Sequence, residues 1–135
     1  MASRVLLVMP PERRERLLRV LSDGGLEIAT AENITEAQMR MSASGKFDLA
    51  FVDSDLPDGS WRDMLQLIVA SGAGCEMVVC ARCGDERLWA EVIQCGAFDL
   101  VPEPFERQEV LRIVNSALDS RYLQRFGRSE SVSVG

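Results

Sequence analysis

Five short apolar runs, at residues 5–9, 26–31, 47–52, 77–80 and 98–101, are each followed by a stretch with helical spacing. Strict alternation of strand and helix leaves few architectures open. It calls for a parallel sheet with helices on both faces, joined by right-handed crossovers. The expected fold class is α/β, with a doubly wound five-stranded sheet. Runs one, three and four (Val-Leu-Leu-Val, Leu-Ala-Phe-Val, Met-Val-Val) are continuously apolar, as suits strands covered on both faces. Glu27 interrupts the second run and Asp99 the fifth, so those two belong at the edges and the order becomes 2-1-3-4-5. The order reverses between strands one and three, so a ligand or reactive group is expected beyond their carboxyl ends. Those ends are Met9-Pro10 and Asp53.

The helices carry their own punctuation. Pro10-Pro11 opens the first and Gly24-Gly25 closes it, the usual placement of proline and glycine. Its inward residues are Leu17, Leu18 and Leu21, which leaves Arg13, Arg16 and Arg19 to water. The charged cluster at 12–16 reads as a solvated face with local ion pairs. Asn33 is placed to cap a second helix over about 34–42, with Ile34, Ala37 and Met41 inward. Ser60-x-x-Asp63 is a capping-box signature ahead of Trp61, Met64, Leu65 and Ile68. A fourth helix is expected from near Asp85 to Gly96 and a fifth over about 106–122. Residues 1–126 form one domain in this reading, and 127–135 a disordered tail or linker stub.

Composition removes several functions. Fifteen Lys and Arg against 21 Asp and Glu give a net charge of -6, which repels nucleic acid and anionic lipid at long range. No apolar run reaches the length of about 18 residues that marks a membrane span, so a cytoplasmic protein is expected. The chain contains no His, which excludes Cys/His zinc sites, Ser-His-Asp and Cys-His nucleophile pairs and a phosphohistidine of its own. The four cysteines fall within 75–95 and suit small buried hydrophobes without disulfides. Cys80-x-x-Cys83 has the spacing of a redox pair, but in thioredoxin-like proteins the low-pKa thiol of that motif sits at a helix start within a different topology, so buried small residues are the expected reading.

The segment Phe51-Val52-Asp53-Ser54-Asp55-Leu56-Pro57-Asp58-Gly59 resembles the phosphoacceptor segment of response-regulator receiver domains in two-component signalling. Gly96-Ala97-Phe98 and Pro104-Phe105 extend the likeness, which covers about residues 4 to 120. The resemblance implies the flavodoxin-like, CheY-like three-layer sandwich. It also implies five roles, of which one is intact: Asp53 matches the aspartate that receives the phosphoryl group. The acidic pair that holds the divalent cation falls on Met9 and Pro10. The hydroxyl residue ending the fourth strand falls on Cys80, the conserved lysine on Glu103 and the aromatic switch on Leu100. Two unit charges about 4 Å apart interact by about 4 kcal/mol at an effective dielectric near 20. Exchanging lysine for Glu103 therefore shifts the site by roughly twice that before relaxation. Magnesium would lose two of its carboxylates, leaving transferring phosphoryl charge unscreened.

The resemblance with these losses implies a degenerate receiver, not an enzyme and without a cofactor, that is phosphorylation-independent and acts through protein contacts. Its partner is a signalling protein or a second copy, met on the face made by helix four, strand five and helix five, where the family register places Trp89 as an exposed anchor, although its position on the helix nearly opposite Glu91 favours burial in the core. Nucleic acid and membrane are not expected partners. Arg82 is expected to turn toward Asp53 or Glu103 as a substitute countercharge. Asp53 also has a plain reading, as a turn residue whose carboxylate accepts from nearby backbone amides. Two alternatives stand beside this: a working receiver phosphorylated on Asp53 by a histidine kinase, with Glu12, Asp55 and Glu103 as a rebuilt cation site, and a thiol redox sensor using Cys80 and Cys83.

Overall fold

The structure is a computed structural model. It describes the backbone of residues 2–22 and 24–134, and the side chains of these except 44 and 124–134. The elements run β1 (Arg4–Val8), α1 (Pro11–Leu21), β2 (Glu27–Ala31), α2 (Ile34–Ser44), β3 (Leu49–Asp53), β4 (Asp55–Leu56), β5 (Gly59–Ser60), α3 (Trp61–Ser71), β6 (Glu76–Ala81), α4 (Glu86–Gln94), β7 (Asp99–Pro102) and α5 (Arg107–Val134). Five parallel strands make one sheet in the order β2-β1-β3-β6-β7. With the small hairpin β4-β5 set aside, this is the 2-1-3-4-5 order expected from the apolar runs. Glu27 and Asp99 do lie on edge strands.

Alternation along each strand sorts the core into two layers. Leu6, Val8, Ala50, Val52, Met77 and Val79 face α2, α3 and α4. Val5, Leu7, Leu49, Phe51, Val78 and Cys80 face α1 and α5, where Leu17, Leu21, Val110, Ile113 and Val114 meet them. The helix starts follow the sequence signals. The Asn33 side chain accepts from the Glu36 amide at 2.8 Å, Ser60 and Asp63 form the reciprocal box, and Asp85 caps α4. Only Val92 of α4 is buried outright, so much of that helix's apolar surface faces outward.

Two features depart from expectation. The stretch after Asp53 contains the antiparallel pair β4-β5, with Asp55 opposite Ser60, which lies outside the five expected strand runs. Gly59 belongs there for want of space, because a Cβ would sit 2.6 Å from both Asp63 Oδ2 and Ile34 Cδ1. The last helix does not stop near Tyr122 but continues to Val134. No proline follows Phe105, and an established helix adds a hydrogen bond for each residue it fixes. The segment set apart as a tail is thus continuous with α5 through Val134; residue 135 and the side chains of 127–134 lie outside the described residues. No described helix is long and apolar enough to cross a membrane.

Candidate functional site

Asp53 closes β3 at the carboxyl end of the sheet, beside Cys80 of β6, and its side chain is almost wholly buried. The backbone turns immediately. The Ser54 amide donates to the Cys80 carbonyl at 2.9 Å and the Asp55 amide to Asp53 Oδ1 at 3.2 Å. That is the turn geometry the plain reading of Asp53 calls for. Across the switch point, Met9 packs into the core and Pro10 precedes α1 as its N-cap. Neither presents a donor to a cation.

The charge that answers Asp53 comes from α1. Arg13 is 8% exposed, and its guanidinium Nη1 donates to Asp53 Oδ1 while Nε donates to Glu103 Oε1 at 3.0 Å. Glu103 follows β7, and its amide donates to the Ala81 carbonyl at 2.9 Å, which fixes the half-buried carboxylate at the same end of the sheet. Burial works against the Arg13 charge, but the hydrogen bonds and fields of Glu103 and Asp53 overcome it, and its pKa lies above the ordinary arginine value. Nη2 of Arg13 is buried without a partner among the described residues.

This corrects two expectations. Arg13 is not solvated, and the countercharge is not Arg82, which is exposed and pairs with neither carboxylate. The residues after Ala81 turn outward toward the α4 cap at Asp85, and Arg13 already fills the gap they would have had to reach. A signal for Arg13 was present in the sequence. Arg13, Leu17 and Leu21 recur every four residues and share one helix face. That stripe begins one turn after the switch point.

The donor set does not fit a divalent cation. The pair that would ligate it is Met9 and Pro10, and the Asp53 carboxylate is held by a guanidinium. Glu12 and Asp55 are exposed, and no cluster of three or more His, Cys, Asp or Glu stands close enough to hold a metal among the described residues. With one cation between two carboxylates, the site keeps a formal charge of about -1, and each further negative charge at about 4 Å meets roughly 4 kcal/mol of opposition.

The other singled-out residues fall into place. Leu100 is 7% exposed and part of the core, and Cys80 is fully buried. Burial pushes the Cys80 thiol well above the ordinary thiol range, against a weaker opposing field from Arg13. Its thiolate is therefore not available to chemistry near neutral pH. The expectation of buried cysteines holds for Cys80 and partly for Cys75, but Cys83 and Cys95 are exposed; all four are free. Trp89 is 49% exposed, and its indole N–H donates to Asp99 Oδ1 at 3.2 Å across the α4–β7 edge.

The model of the response regulator receiver domain matches residues 10–115. The chain belongs to that family. Among curated relatives, the receiver domain is 30% identical over 111 residues to the response regulator protein PilR of Pseudomonas aeruginosa, covering 82% of this chain and 25% of that protein. It is 27% identical over 121 residues to the chemotaxis protein CheY of Bacillus subtilis, covering 88% of this chain and all of CheY. The receiver domain thus spans a quarter of one relative and the whole of the other. Among solved structures, the signal receiver domain of a LuxO repressor protein from Vibrio parahaemolyticus superposes with a TM-score of 0.83 at 25% identity, over 93% of this chain and 97% of that one. Asp53 lies within the matched span, at the carboxyl end of β3 and beside Cys80 of β6.

Proposed function

We propose that this receiver domain works without phosphorylation, as a signalling module whose output is a protein contact. The observation that carries the reading is Arg13, bonded to both Asp53 and Glu103 in the space where other receivers would need a divalent cation and a lysine. A guanidinium does not release its proton in the physiological range, so this countercharge is permanent. It neutralises Asp53 without supplying the open coordination that phosphoryl transfer uses.

The contact is assigned to the α4–β7–α5 face. Trp89 stands half out of it, a large rigid side chain of the kind that dominates interface energetics, with its orientation held by Asp99. Glu109 and Arg112 of α5 add an exposed ion pair at 2.7 Å, so the face offers both signs of charge around an aromatic centre. The partner is a signalling protein or a second copy of the chain.

The test is a titration with magnesium and beryllofluoride followed through backbone amide shifts. The expected result is no saturable shift at Asp53, Cys80 or Glu103. Saturable shifts at those residues with millimolar magnesium would overturn the proposal, and further shifts on adding beryllofluoride would mark Asp53 as a working phosphoacceptor.

A further inference from the structure

At the other end of the sheet, between α2 and α3, lies a cavity of about 170 Å³. Leu6, Met41, Phe47, Ala50 and Ile68 supply hydrocarbon walls. Away from the rim, the side-chain polar atoms of Ser71 and Cys75 are already engaged. The Ser71 hydroxyl donates to the Ile68 carbonyl at 2.6 Å, and the Cys75 thiol to the Glu76 carbonyl at 3.5 Å. A buried water needs about two to four polar partners, whereas an apolar cavity of about 150 Å³ takes up benzene. The interior therefore favours a small hydrocarbon group over water.

The rim has a different character. Lys46, the one lysine in the sequence, lines it and is exposed. Its ammonium has no hydrogen-bond or ion-pair partner among the described residues. Beside it the Arg4 guanidinium donates to the Lys46 carbonyl at 3.0 Å and lies 4.5 Å over the Phe47 ring. The neighbouring Asp48 carboxylate accepts from the Arg4 amide and from Arg121 Nε, at 2.8 and 2.6 Å, and is committed elsewhere. An apolar chamber with an uncommitted cation at its mouth matches one ligand chemistry. We propose that this cavity binds a small amphipathic monocarboxylate, its ring or short branched chain enclosed and its carboxylate on Lys46.

Benzoate is the probe, with benzyl alcohol as its uncharged counterpart of similar size, each titrated into the whole chain and followed by amide shifts. Benzoate is expected to give saturable shifts at Phe47, Ala50 and Ile68. Lys46→Met is expected to weaken benzoate by about two- to fivefold, the range of an exposed ion pair, and to leave benzyl alcohol unchanged. Ala73→Leu, at the half-exposed rim, is expected to block both ligands. Should Ala73→Leu lose its shift dispersion, the Lys46→Met comparison still decides, because that side chain is exposed and its removal leaves the core intact. Absence of saturable shifts with benzoate, unchanged benzoate affinity in Lys46→Met, or binding of benzyl alcohol with exclusion of benzoate overturns the proposal.

Discussion

Replacing Arg13 by methionine keeps most of the side chain's length and removes its charge. In the native site one guanidinium answers two carboxylates, and the Asp53 side chain has only 2% of its surface in solvent. Methionine leaves Asp53 buried and uncompensated, with Glu103 as a second negative charge nearby. Breaking a buried pair by removing one partner costs about 3–5 kcal/mol, a large share of the roughly 5–15 kcal/mol that holds a domain folded. With a urea slope of about 2 kcal/mol per molar, the unfolding midpoint should fall by about 2 M. Asp53→Asn in the same background removes the stranded charge and should restore about 2 kcal/mol, a coupling within the range for residues in one network. Glu103→Gln is the milder control. The Glu103 side chain is 26% exposed and solvent-screened, and its loss should cost about 1 kcal/mol or less. The measurement is equilibrium urea unfolding of the parent and these three variants at neutral pH. A loss under about 1 kcal/mol for Arg13→Met, or no recovery in the double variant, would refute the view of Arg13 as the charge that makes burial of Asp53 tolerable.

Thiol labelling with a disulfide reagent should modify exposed Cys83 and Cys95 rapidly in the folded protein. Cys80, fully buried, and Cys75, whose thiol is pushed up to about 12 chiefly by burial, should react only on unfolding, and fast labelling of Cys80 would reopen the redox reading. Asp58 accepts from the Ile34 and Thr35 amides at the start of α2, and these bonds hold its pKa below the ordinary carboxylate value. A depressed carboxylate contributes stability above its unfolded pKa and loses it as pH falls through the folded value. Asp58→Ala should therefore be less stable than the parent at neutral pH, with the deficit vanishing in acid; a deficit independent of pH contradicts this. With Trp61 changed to Phe, Trp89 should emit as a solvated indole, and Trp89→Ala should change stability by about 1 kcal/mol or less while weakening partner binding. Blue-shifted emission would remove Trp89 from the interface.

The architecture was legible because it rests on redundancy. Five apolar runs and two interrupting charges, Glu27 and Asp99, fix a sheet order without any single residue being decisive. The site was half legible. Asp53 announced itself through the residues around it, and the losses at Met9, Pro10 and Glu103 followed from their chemistry alone. What replaced the lost groups did not, because Arg13 sits among four other charged residues at 12–16, and composition marks such a cluster as solvated. Its spacing from Leu17 and Leu21 outweighs that local context, since a side chain on the buried stripe of a helix follows the stripe whatever its charge. The choice of Arg82 relied on distance along the chain, and direction at the end of β6 decided otherwise. The β4-β5 pair is too short to leave a period-two pattern.

Arg13 also bears on how such a module is controlled. A phosphoryl group is written and erased within the lifetime of the molecule, so a conventional receiver reports recent history at constant copy number. A charge encoded as a side chain is set when the ribosome incorporates Arg13 and is lost only with the polypeptide. Under the phosphorylation-independent function proposed above, the quantity a cell has to adjust is how many copies exist and where they are placed. Synthesis, proteolysis and competition for partners become the timers, with a memory of minutes to generations.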